Sequence, residues 1–99
     1  MVVLMAILQA GKSAYGVTIK KQIERRTERE ISRGSIYITL ERLERKGYVQ
    51  SWMGEPTAVR GGRAKRFFTV EIEGVQALRQ SLGDITHMRE GLEPLLEAV

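Results

Sequence analysis

The chain contains no cysteine, which excludes a disulfide framework and any thiolate-bound metal. Its one histidine, His87, cannot hold zinc alone, and no carboxylates recommend themselves as its partners. Long apolar runs are missing too. The longest, Met1 to Leu8, is far too short to span a bilayer and lacks the basic flank and small-residue cleavage site of a signal peptide. There is no glycine-rich phosphate loop and no convergent set of nucleophile, base and acid. Acids such as Glu24 and Glu41 stand four residues from a base, the pattern of solvated helix faces. The expectation is a soluble cytoplasmic protein that is not an enzyme and needs no cofactor.

What is present is enough for one core: 99 residues with 42% apolar content predict a single small domain. The net charge is only +4, but it is unevenly placed. Residues 12–66 hold fourteen basic and six acidic side chains, whereas residues 67–99 hold two basic and six acidic. That asymmetry predicts a cationic face for a polyanion in the first part and a different task for the second.

Residues 2–8 are apolar on every side, and Gly11 as a terminator favours a helix over a strand. Ser13 is a natural cap for a segment at 14–26, where Gly16, Ile19 and Ile23 share one face. A polar break at 26–30 precedes the most informative segment. Ser32 caps and Gly47 ends a helix over 33–47 in which Ile36, Leu40 and Leu43 form the core face. The opposite sector carries Gly34, Ile38, Glu41, Arg42 and Arg45, flanked by Ser35 and Thr39. Nothing in a solvated helix asks for an outward Ile38. A DNA major groove does, through a thymine methyl, with Thr39 and Arg42 placed for base edges or phosphate.

Residues 48–53 and 66–72 read as strands, the second with Phe68, Val70 and Ile72 on one side. The connection between them carries Pro56, three glycines, Arg60, Arg63 and Lys65, a composition suited to touching phosphates. A basic helix beside a basic hairpin is the reading head of a winged-helix DNA-binding domain. The fold class expected is therefore mainly α with a small β-hairpin. The winged helix-turn-helix occupies residues 1–72 and its wing about 48–72.

From Val75 onward, Leu78, Leu82, Ile85, Leu92 and Leu96 continue a heptad-like seam with few basic residues, which predicts a dimerisation helix over 73–99. Gly91 and Pro94 predict a kink or break near 91–94. Trp52 stands at the base of the wing, where an indole packs under the hairpin or faces a ligand cavity.

Three segments together resemble PadR-like transcriptional regulators: AYG at 14–16, SRGSIYITLERLERKGYV at 32–49, and GGRAKRFF at 61–68 followed by Glu73-Gly74. The resemblance covers about residues 1–80. It implies a bacterial winged helix-turn-helix repressor that dimerises through its last helix, binds a double-stranded operator and is relieved by an unidentified small-molecule effector. It assigns Ser35, Tyr37, Thr39 and Arg42 to the recognition helix, Arg63, Lys65 and Arg66 to the wing, and the Tyr15 hydroxyl to phosphate. It also implies a nucleoid-associated location. The chain departs from the pattern at Ile38, where proline is common, at Phe67 and Phe68, often tyrosines, and at Glu71-Ile72, usually Thr-Pro. A second reading keeps the fold but docks a protein partner through Ile38, and the basic surplus of residues 12–66 argues against it.

Overall fold

The computed structural model describes residues 1–55 and 64–98. Among the described residues five helices and a hairpin follow in the order α1 (Val2–Ala10), α2 (Gly16–Thr27), α3 (Arg33–Arg45), β1 (Val49–Met53), β2 (Arg66–Val70), α4 (Ile72–Arg89) and α5 (Glu93–Glu97), with a 3-10 turn at Gly11–Ser13. Among the described residues no helix is long and apolar enough to cross a membrane. The apolar run at the start is helical, as Gly11 suggests, and buries Val3, Leu4, Ala6 and Ile7.

The core gathers one face each from α1, α2, α3 and the hairpin, and α4 adds Leu78. Leu4, Ile7, Ile19, Ile36 and Leu40 are its largest fully enclosed side chains, joined by Ile23, Leu43, Val49 and Phe68. Burying side chains of this size contributes about 1.5–3 kcal/mol each, so three helices and a short hairpin close around one nucleus.

Local chemistry fixes the ends of α3. The Ser32 hydroxyl accepts the Ser35 N–H at 3.1 Å, satisfying one of the orphan donors of the first turn. At the other end Gly47 takes φ +80°, a left-handed conformation that a Cβ disfavours. Its N–H bonds the Glu44 carbonyl at 3.0 Å and the Tyr48 N–H bonds the Leu43 carbonyl at 2.9 Å. This paired closure turns the chain directly into β1.

β1 and β2 pair antiparallel with Ser51 opposite Phe68 and Trp52 opposite Phe67. A third rung is added by the approach to α2: Tyr15 bridges Phe67, and the Phe68 N–H bonds the Ala14 carbonyl at 2.8 Å.

The second strand ends earlier than its alternation predicts. It stops at Val70, and Ile72 starts α4 with its side chain 67% exposed. The Glu71 N–H bonds the Tyr48 carbonyl at 2.8 Å, and buried Gly74 then lies against that same carbonyl. The close approach bends the chain into a helix where the residue pattern alone continued a strand. α4 stops at Arg89, Gly91 follows at φ +83°, and α5 restarts with Pro94 in its first turn.

Candidate nucleic-acid interface

α2 and α3 form the two arms of a helix-turn-helix, and the turn between them is held from α2. Glu24 accepts both oxygens' worth of bonding from Lys20 Nζ, at 3.1 and 3.0 Å, and its Oε2 also accepts the Ile31 N–H at 3.1 Å. The bond from Lys20 first, and that from the Ile31 amide second, hold the Glu24 carboxyl below its ordinary value. The preceding turn passes through Glu28 at φ +57°, the one non-glycine residue with positive φ among those described.

The outward face of α3 is open. Ser35, Tyr37, Ile38, Glu41, Arg42 and Arg45 are all exposed, and Ile38 reaches 61%. Thr39 is half-buried, and its hydroxyl donates to the Ser35 carbonyl at 3.0 Å, which leaves its lone pairs outward. The Ser35 side chain accepts a bond from the Ser32 hydroxyl at 2.8 Å and so belongs partly to the cap. The ion pairs among the described residues are Lys20–Glu24 and Glu44–Arg66, so the Arg42 guanidinium faces solvent without an acidic partner there. Tyr37 is placed differently from its neighbours. Its ring lies over Gly16, where a Cβ would collide with the phenol. It works at the α2–α3 junction, with its margin exposed.

Beside α3 lies the root of the hairpin. Lys65 is exposed, with Nζ 4.5 Å above the Tyr15 ring and 3.4 Å from the Tyr15 hydroxyl, to which it donates. Tyr15 meets Phe67 edge-on at 5.5 Å, and Phe67 stacks on Trp52 at 5.9 Å. These aromatics mount the lysine on the sheet and hold the Tyr15 phenol toward the same side. Arg63 lies outside the described residues. Arg66, which the family resemblance groups with the wing cations, is half-buried and tied to neighbouring elements: Nη2 donates to Glu44 Oε1 at 2.5 Å and Nε to Ser51 Oγ at 3.0 Å. Sequence reasoning passed over Glu44, since no local spacing links it to a base 22 positions away.

The seam of the last helices divides into two parts. Leu78 is buried in the domain's own core, so it is not free for a partner. Leu82, Ile85, Leu92 and Leu96 are exposed, together with Met88 and Leu95. Where α1 and the 3-10 turn meet the hairpin, Ile7, Leu8, Gly11, Lys12, Trp52, Phe68, Thr69 and Val70 line a mostly apolar cavity of about 410 Å³.

A helix-turn-helix whose second helix is followed by a two-stranded antiparallel hairpin packed on the same core defines a winged helix-turn-helix domain. Residues 3–80 match the model of the transcriptional regulator PadR-like family, and the chain belongs to that family of DNA-binding transcription regulators. Solved structures agree with the fold. A transcriptional regulator from Clostridium thermocellum superposes with a TM-score of 0.78 at 23% identity, covering 94% of this chain and 84% of the other. A PadR family transcription regulator from hypervirulent Clostridium difficile R20291 gives 0.71 at 26% identity, covering 96% of each chain. A PadR family transcriptional regulator from Eggerthella lenta DSM 2243 gives 0.74 at 21% identity, covering 98% of this chain and 82% of the other. A comparison with curated proteins found no match.

Proposed function

We propose that the chain is a sequence-specific, dimeric repressor that reads a double-stranded operator with one α3 per half-site. The observation that carries this reading is the outward face of α3. An exposed isoleucine at 38, a hydroxyl at Thr39 and an arginine at 42 with no acidic partner among the described residues stand together where a groove would be met. Ile38 serves a thymine methyl, and Arg42 a base edge or phosphate. Ser35 and the Tyr15 hydroxyl serve the backbone beside them, and Lys65 extends the cationic surface toward the wing, which Arg63 would continue.

Leu82, Ile85, Leu92 and Leu96 supply the surface for a second copy, to which Met88 and Leu95 add. Six large apolar side chains exposed along residues 82–96 are more than a solitary domain ordinarily leaves to water. The cavity beside Trp52 has the size and apolar lining of a small-molecule site, and an effector held there would touch both α1 and the wing root. The working location is the cytoplasm, on the nucleoid.

Fluorescence anisotropy of the purified protein tests this reading, on a labelled duplex from the DNA upstream of its own gene and on a scrambled duplex, at two salt concentrations. Tight, salt-sensitive binding that prefers the upstream duplex is the expected result. No binding to either duplex at low salt would favour a protein-docking module instead.

A further inference from the structure

We propose that Glu44 is a positioning residue for DNA reading: through Arg66 and Ser51 its carboxylate sets the angle between α3 and the wing. This rests on the reading of α3 as the helix that enters DNA.

The geometry is a closed ring of three side chains from three elements. Glu44 on α3 accepts from Arg66 Nη2 at 2.5 Å through Oε1, and from the Ser51 hydroxyl through Oε2. Ser51 on β1 in turn accepts from Arg66 Nε at 3.0 Å, and Arg66 stands on β2 with its guanidinium 5.4 Å above the ring of buried Phe68. Both carboxylate oxygens are used, and both strands of the hairpin are tied to one helix. A planar guanidinium presenting two donors in fixed directions holds orientation as well as distance.

The side chains of Arg66 and Glu44 remain 40% and 34% exposed, so screening leaves the pair little weight in overall stability. Its effect is directional. β1 starts four residues after α3 ends, and the paired backbone bonds at Gly47 and Tyr48 join α3 to the near end of the strand, while the Phe68 N–H to Ala14 carbonyl bond ties β2 to the approach to α2 and not to α3. The ring is a second attachment further along the hairpin, at the level of Ser51 and Arg66. Of the contacts among the described residues that hold the hairpin to the domain, the ring is the one that ties side chains of both strands directly to α3, and so bears on the angle between them. That angle relates Arg42 and Ile38 to Lys65, the cationic element on the hairpin side.

The same arrangement makes an unusual electrostatic prediction. Glu44 is an acid beside a cationic, DNA-facing surface, so simple charge repulsion says that removing it tightens binding to any duplex. The brace says the opposite for a preferred sequence. The experiment is a set of variants, Glu44→Ala, Arg66→Met and the double, titrated on the upstream and scrambled duplexes over a range of salt.

Glu44→Ala is expected to weaken upstream binding by about 5–10-fold, within the range of coupled side chains, without changing the salt slope. Scrambled-duplex binding stays level or tightens slightly. Arg66→Met loses a comparable factor, and the double variant loses no more than either single. Tighter upstream binding by Glu44→Ala would overturn the proposal. So would a salt slope reduced by about one unit in Arg66→Met, the mark of a lost phosphate contact.

A DNA-free reading separates this idea from the one beneath it. Trp52 is the only tryptophan and neighbours Ser51. Its time-resolved fluorescence anisotropy should gain fast depolarisation in Glu44→Ala, and no gain overturns the brace by itself. Wild-type protein that binds neither duplex while Trp52 responds would instead overturn the DNA reading, and with it this role for the ring.

Discussion

Replacing glycine by alanine at two positions of α4 should move stability in opposite directions. In a helix interior alanine is favoured over glycine by about 1 kcal/mol, through backbone entropy alone. At Gly83 a Cβ would meet nothing within 4 Å, so that gain should appear almost undiminished. At Gly74 a Cβ would collide with the Tyr48 carbonyl oxygen and come within 2.8 Å of Val70 Cγ1. The first obstacle is backbone and cannot swing away. It is also the acceptor of the Glu71 N–H, which closes the turn into α4 at 2.8 Å. Forcing the helix off this carbonyl costs about 1–3 kcal/mol in overpacking. Weakening the bond at Glu71 costs about 0.5–1.5 kcal/mol more. Set against the helix preference, Gly74→Ala should destabilise by about 1–3 kcal/mol, lowering Tm by roughly 5–15 °C in a domain of this size. Gly83→Ala should raise Tm by about 4–6 °C. Thermal and urea unfolding at one fixed protein concentration measure both, so that self-association enters each curve alike. Shifts of the same sign in the two variants would refute the argument from close approach.

Arg42→Ala should cost about 1–3 kcal/mol on the preferred duplex and relax selectivity at one position, measured by anisotropy on base-substituted duplexes. Equal losses on preferred and scrambled DNA would sink its base-reading role. Leu40→Ala, in the fully enclosed core, should cost about 2–5 kcal/mol in urea unfolding, whereas the same change at Ile38 should alter stability by under about 1 kcal/mol. Glu24 has its carboxyl depressed below 4.5 in the folded state, so its contribution is fully present above that value and lost as pH falls through the depressed one. The gap in urea midpoint between wild type and Glu24→Gln should therefore narrow below about pH 4.5, and a gap that widens in acid would refute it. Ile85→Glu with Leu92→Glu should turn the proposed dimer into a monomer in sedimentation velocity while leaving the helical circular dichroism signal in place, because both side chains are exposed in the single chain.

The sequence made α3 legible because its determinants are local. A serine cap, a 3.6-residue apolar stripe and a glycine with positive φ lie within sixteen residues, and each acts on its neighbours. The helix-turn-helix and hairpin followed from the same kind of signal. Ile72 was misleading because parity with Phe68 and Val70 continues past the point where Glu71 bonds Tyr48 across the hairpin. Leu78 shares the spacing of Leu82 and Ile85, yet a heptad pattern is blind to whether its partner lies in the same chain. The ring at Glu44 was invisible for a further reason. The family resemblance placed Arg66 among the wing cations, and only folding brings it to an acid on another element.

α4 is anchored at one end by Gly74 and Leu78, and carries its exposed residues from Leu82 onward on the same uninterrupted 18-residue rod. Such a rod is about 27 Å long and advances about 100° of rotation per residue. In the proposed dimer it acts as a strut whose length is also a phase. Inserting one residue between Leu78 and Leu82 would shift the outer stripe by only about 1.5 Å, yet swing it by about 100°. If the proposed dimer is built on this stripe, the two reading helices would be re-aimed relative to each other, and the half-site spacing would follow from the residue count of this one segment.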